Sequence, residues 1–159
     1  MDTLLKLLKS NAHTPVAELA KALELTEAGV ADRIAQLEKD GIIVGYQAVI
    51  DHDKLIGGCV TAVIEVKITP ERGGGFDRLA QRIAKFEQVQ SCYLMSGGYD
   101  LLVVVEGATL QEVAGFVAEK LSTIPGVIST GTHFRLKTYK ENGASLHRES
   151  APERLAVAP

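Results

Sequence analysis

The chain has no apolar run long enough to cross a bilayer. Its longest purely apolar stretch, Leu101 to Val105, has five residues, where a membrane helix needs about 20. Cysteine is almost as scarce. Cys59 and Cys92 stand 33 positions apart with no CxxC spacing, and both are expected to be reduced thiols in strands, with metal or redox use set aside. The four histidines are scattered at His13, His52, His133 and His147 without ligand spacing. His13 and His52 read as loop residues, His133 as a strand residue and His147 as part of the tail. No Ser-His-Asp or paired-carboxylate arrangement can be assembled, so the expectation is no enzyme, no cofactor and no metal. A basic surplus is missing too. Residues 1–50 carry five bases (Lys6, Lys9, Lys21, Arg33, Lys39) against seven acids, residues 51–140 carry ten of each, and the whole chain is −3. Nucleic-acid binders usually show a basic footprint, and this deficit weighs against one.

What is present is the balance of a globular protein, 46% hydrophobic and 23% charged. The opening MDTLLKLLKSNAHT sets Lys6 and Lys9 among its apolar positions, so it reads as an amphipathic helix and not as a signal peptide. A cytoplasmic location is expected by default. Leu4, Leu5 and Leu8 give that helix its stripe. Thr14-Pro15 is placed to start a second helix, with Thr14 as cap and Pro15 at the first position; Val16, Leu19, Ala20 and Leu23 form its inner face. Thr26 then caps a third helix running to about Asp40, whose Val30, Ile34 and Leu37 share one side, and Gly41 ends it. Ile42 to Ile50 is β-prone and reads as a small hairpin or strand. Asp51 to Gly58, with its Gly57-Gly58 pair, reads as a linker.

The second half changes period. Val60, Ala62, Ile64, Val66 and Ile68 alternate as a strand does. Phe76, Leu79, Ala80, Ile83 and Phe86 recur at helical spacing. Val89 to Met95 and Leu101 to Glu106 are strands joined at Gly97-Gly98, read as a two-residue type I′ turn. Thr109-Leu110-Gln111-Glu112 is a capping box opening a helix with Leu110, Val113, Ala114, Val117 and Leu121 on its apolar face. Pro125-Gly126 ends it, and Val127 to Thr138 is a last long strand. This β-α-β-β-α-β order predicts an α+β fold: a three-helix unit followed by a ferredoxin-like sandwich of two helices on a four-stranded antiparallel sheet. Leu101 to Val105 is apolar on both sides, yet helices cover one sheet face only. A second subunit is the simplest cover for the other.

In the three-helix unit the second and third helices are joined by a short turn. The outer face of the third presents Glu27, Ala28, Ala31, Asp32, Ala35 and Gln36. Small residues there allow close approach to a major groove, and Gln36 is able to pair with a base edge. Arg33 has no acid at i±3 or i±4 and is read as free for a phosphate. The alternative is a bundle used only for protein contacts.

The stretch Val16-Ala17-Glu18-Leu19-Ala20, Leu25-Thr26 and Val30 to Ile43 resembles the DNA-binding domain of the leucine-responsive regulatory protein/AsnC (feast–famine) family, with its V-x-x-R-[IV]-x-x-L-E-x-x-G-[IV]-I pattern matched throughout. Ser96-Gly97-Gly98-Tyr99-Asp100 matches the G-x-[YF]-D turn of that family's regulatory module. Ile124-Pro125-Gly126-Val127 with Thr130-Gly131-Thr132 matches its [LI]-P-G-V…T-x-T segment. The similarity spans about residues 1–140. It implies a winged helix-turn-helix DNA-binding domain at 1–50 and a ferredoxin-like regulatory and oligomerisation domain at 59–140, on either side of the linker at 51–58; the stretch 141–159, which lacks periodicity, reads as a mobile tail. The similarity further implies a sequence-specific transcriptional regulator, dimeric and assembling further into octameric rings, with double-stranded DNA and an amino acid or related metabolite as partners. Carried over, the operator face is Thr26, Glu27, Ala28, Gly29, Ala31, Asp32, Arg33 and Gln36. The effector site is Ser96, Gly97, Gly98, Tyr99 and Asp100 with Thr130 and Thr132. Asp100 would meet an ammonium and the glycine amides a carboxylate, although the turn residues also have a plain structural reading. The alternatives are a co-regulator that does not bind DNA and a relative of the tetrapyrrole decarboxylases.

Overall fold

The computed structural model describes residues 2–55, 57–70 and 75–146. Among these, one compact unit holds 2–50 and 140–146, and the other holds Asp51–Tyr139.

The first unit is built on three helices: α1 (Thr3–Ser10), α2 (Val16–Leu23) and α3 (Glu27–Lys39). Leu4, Leu8, Leu19, Ala20 and Val30 are buried together, with Val16, Leu23, Ile34, Leu37 and Ile43 packed around them. Leu7 joins this cluster where Leu5 was expected. Asp2 caps α1 by accepting from the Leu4 amide. Thr26 caps α3 as expected, accepting from Gly29 N–H at 3.1 Å. Thr14 does not cap α2: its hydroxyl donates to the Asn11 carbonyl instead, and the α2 N-terminus has no side-chain cap. The turn into α3 places Glu24 in the left-handed region at φ 54°, where Leu25 N–H reaches back to the Ala20 carbonyl. Gly41 ends α3 at φ 68°, with its N–H on the Glu38 carbonyl and that of Ile42 on Leu37, a Schellman closure.

The expected strand or hairpin at Ile42–Ile50 does not form. The segment runs without a ladder among the described residues, so nothing satisfies strand pairing there. Apart from Ile43, its large apolar side chains stand exposed, Val44 above all. Beyond the Ile42 and Ile43 amides on the Leu37 carbonyl, the Tyr46 hydroxyl ties it to α3, donating to Glu38 Oε1 at 2.8 Å.

The second unit is the expected sandwich. Its strands are β1 (Val60–Ile68), β2 (Val89–Leu94), β3 (Leu101–Gly107) and β4 (Val127–Phe134), with helices α4 (Asp77–Ala84) and α5 (Leu110–Gly115). The antiparallel sheet has the order β2-β3-β1-β4, so the two central strands are β1 and β3. Their inward residues, Ala62, Ile64, Val66, Leu101, Val103 and Val105, are all fully buried under the helices, and each of the five larger side chains is worth roughly 1.5–3 kcal/mol. The outer face carries cross-strand rows such as Tyr93–Leu102–Glu65 and Ser91–Val104–Val63–His133. Tyr93 is about half exposed there.

Two details differ from expectation. After Gly115 the helix widens into a π-type turn at Phe116–Leu121, closed by Ser122 N–H on the Val117 carbonyl. Phe116 is thereby buried beside Val113, Val117 and Leu121, whereas Leu110 and Ala114 face outward. β4 stops at Phe134 rather than Thr138. Arg135 N–H makes the last bond, to the Thr61 carbonyl, and β1 begins at Val60, leaving no further strand to pair with. The start of the expected tail forms a small hairpin of β5 (Lys140–Glu141) and β6 (Ala144–Ser145). Its remainder, 147–159 with His147, lies outside the described residues. No helix is long and apolar enough to cross a membrane among the described residues.

Candidate functional site

The α3 surface follows from its packing. With Val30 buried and Ile34 and Leu37 half-buried against α1 and α2, the 3.6-residue period turns the other side outward. Thr26, Glu27, Ala28, Gly29, Ala31, Asp32, Arg33 and Gln36 are all exposed, so one helix brings the whole expected face together. The centre is small, made by Ala28, Gly29, Ala31 and Ala35, which lets a backbone or base edge come close.

Besides Thr26, which caps the helix, two polar members are not free. Arg33 Nη2 donates to Asp2 Oδ2 at 2.7 Å, which corrects the reading of Arg33 as an unpaired cation. The acid comes from the start of α1, 31 residues away, where helix-neighbour spacing gives no sign of it. Gln36 Nε2 donates to Asp40 Oδ1 at 2.7 Å, one turn along its own helix. Both contacts are exposed, so each group is able to exchange its partner at small cost.

The effector candidates divide into two groups. The loop between β2 and β3 is closed by Met95 N–H on the Asp100 carbonyl at 2.8 Å and so encloses four residues, Ser96 to Tyr99. It is not the expected two-residue type I′ turn. Only Gly97 takes a positive φ, at 131°, whereas type I′ needs two. Ser96, Gly97 and Gly98 are exposed.

Asp100 is tied down. Its N–H donates to the Val66 carbonyl and its Oδ2 accepts from Ile68 N–H at 2.8 Å. It therefore completes the end of the β1 ladder rather than satisfying amides of its own turn. Thr130 and Thr132 lie on β4, paired with Val66 and Ile64 on the other flank of β1. One strand separates them from Asp100, about 10 Å across the sheet. The Thr130 hydroxyl is within 3.2 Å of that of Ser122.

One thiol lies in a strand as expected and the other does not. Cys92 is in β2, and burial pushes its thiol pKa up, which disfavours the thiolate. Cys59 is not in a strand but just before β1, with His52 Nδ1 3.2 Å from its sulfur. Periodicity could not show this pairing, because it depends on the chain folding back over seven residues.

Comparison with known proteins gives the frame. The family profile described as winged helix-turn-helix DNA-binding matches residues 3–44, and the one described as Lrp/AsnC ligand binding domain matches 61–145. A helix-turn-helix-type transcriptional regulator of Bacillus subtilis (strain 168) is 44% identical over 98% of this chain and 95% of its own. The proline dehydrogenase transcriptional activator of Rhodobacter capsulatus is 30% identical over 85% and 87% respectively. Among solved structures, a transcriptional regulator of Neisseria meningitidis, crystallised as its L-Met complex, superposes with a TM-score of 0.70. It is 26% identical, and the match covers 92% of this chain and 96% of that one.

Proposed function

Because the chain belongs to the Lrp/AsnC family of transcriptional regulators, we propose that it reads operator DNA through α3 and is tuned by an amino acid held at its regulatory module. The observation that carries this reading is the exposed face of α3, where Ala28, Gly29, Ala31 and Ala35 lie between the polar ends Thr26 and Gln36. That face has the size and hydrogen-bonding capacity for a major groove. Gln36 exchanges Asp40 for a base edge, and Arg33 exchanges Asp2 for a phosphate. Glu27 and Asp32 repel the DNA backbone and restrict binding to sites where base contacts compensate.

The chain works as a homodimer in the cytoplasm and not as an enzyme. The half-exposed outer sheet face around Tyr93 and Leu102 supports a subunit contact. The effector is an amino acid, a reading supported by the L-Met complex of the Neisseria relative. It lies against Ser96, Gly97, Gly98 and Tyr99, with the Asp100 carboxylate attracting its ammonium while still holding Ile68 N–H. Thr130 and Thr132, on the far flank of β1, belong to the same end of the sheet and supply hydroxyls from β4.

Selection of bound sequences from a random duplex pool, with and without added amino acids, tests this reading. Wild type should enrich one motif and Gln36→Ala a relaxed one. Failure to enrich any sequence under either condition would reject it. Asp100→Asn, which retains an oxygen for Ile68 N–H, should fold normally and lose the amino-acid response.

A further inference from the structure

We propose that His52, Cys59 and Glu106 form a binding site for a divalent transition-metal ion, Zn²⁺ foremost, at the root of the regulatory unit. One ligand atom from each lies within 4.8 Å of both others, and all three residues are half-buried. They come from three places in the fold: the 3₁₀ turn His52–Lys54, the residue before β1, and the end of β3.

The backbone is shaped to bring them together. Gly57 takes φ +77°, and at Gly58 a Cβ would stand 3.0 Å from the His52 carbonyl oxygen. Both positions therefore favour glycine, Gly57 for its φ and Gly58 for the close approach of the His52 carbonyl. The fold-back sets Cys59 Sγ 3.2 Å from His52 Nδ1. Two donors of a tetrahedral zinc site at ordinary Zn–S and Zn–N lengths stand about 3.5 Å apart, so the pair needs little movement. Glu106 is opposite Thr61 in the β1–β3 ladder. The Thr61 hydroxyl accepts from Arg135 Nη2 at 2.8 Å and donates to Glu106 Oε1 at 3.4 Å. A carboxylate oriented in this way from outside is characteristic of ligating groups.

The donor set selects the ion. Thiolate with imidazole excludes Mg²⁺ and Ca²⁺, which demand oxygen, and a single carboxylate completes a mixed S, N, O set suited to zinc. Three protein ligands leave a fourth position for water. Binding displaces the Cys59 thiol proton to solvent, and the ion then bonds to the thiolate. Its structural effect is to fasten the 3₁₀ turn His52–Lys54 and Cys59 to the end of β3.

Cobalt(II) titrated into the untagged, metal-stripped full-length chain provides the test. One equivalent per chain should raise a sulfur-to-metal charge-transfer band with the intense visible bands of four-coordinate cobalt, and zinc should abolish both. Cys59→Ser should lose the charge-transfer band, His52→Ala and Glu106→Gln should bind more than about tenfold more weakly, and Cys92→Ser should match wild type. In the wild-type chain, zinc should slow alkylation of Cys59 by iodoacetamide and leave Cys92 unchanged. No charge-transfer band in wild type, a band that survives Cys59→Ser, or alkylation of Cys59 indifferent to zinc would overturn the proposal.

Discussion

Replacing Asp2 by Asn separates the two roles of that side chain. Its Oδ1 caps α1 through the Leu4 amide, while its Oδ2 holds Arg33 at 2.7 Å. Asn keeps an oxygen for the cap, since Asn and Asp are comparable N-caps, but gives up the charge. The ion pair is a surface one, with side chains 47% and 25% exposed, and such pairs contribute about 0.2–1 kcal/mol. Loss of an acid at the start of α1 adds roughly 0.3–1 kcal/mol through the helix dipole. The variant should therefore be destabilised by about 1 kcal/mol in urea unfolding. Its DNA binding should tighten, because Arg33 no longer leaves one anion to meet another. Because Arg33 meets its phosphate with or without Asp2, the log–log salt slope should stay nearly the same in fluorescence anisotropy, while affinity rises by about 0.2–1 kcal/mol per chain, the worth of the pair no longer broken. Unchanged affinity at intact stability would refute the placement of Arg33 against the DNA backbone. Destabilisation by several kcal/mol would show that the pair is a structural clasp.

Other consequences are as direct. Gly107→Ala would place its Cβ 2.9 Å from Val113 Cγ2, and Val113 is fully buried. This overpacking should cost about 1–3 kcal/mol, read by thermal unfolding; a neutral result would mean that α5 shifts freely on the sheet. Tyr46 has its pKa raised above 10.0, chiefly by the hydrogen bond to Glu38, then by desolvation and the Glu38 charge. A raised pKa means that the contact is complete below the ordinary tyrosine value and is lost as pH climbs through the folded one. In a tyrosinate absorbance titration one tyrosine should titrate late, and Glu38→Gln should restore it to the ordinary range; no change in that variant would contradict the contact.

The fold was readable wherever a period ran long enough. The alternation of Val60 to Ile68 and the helical stripes at Leu19, Val30, Leu79 and Ile83 became buried faces, because side-chain direction in each element is set by its own geometry. The exposed face of α3 follows from the same rule. What stayed hidden depends on contacts between distant segments. Arg33 meets an acid 31 residues away, Cys59 meets His52 only through the Gly57-Gly58 fold-back, and Asp100 serves the β1 ladder across the sheet. The Gly97-Gly98 loop was misread because its composition suits a two-residue turn, while the Met95–Asp100 closure determines its length. Ile42–Ile50 has strand composition without a strand to pair with, and composition alone does not supply one.

The central claim, that α3 lies in a DNA groove despite its acidic residues, is tested most directly by equilibrium binding of the full-length protein to its selected duplex across a range of salt. With about three phosphates met by each chain, affinity should fall about a thousandfold between 50 and 200 mM. A flat dependence, or no binding to any duplex at low ionic strength, would contradict it.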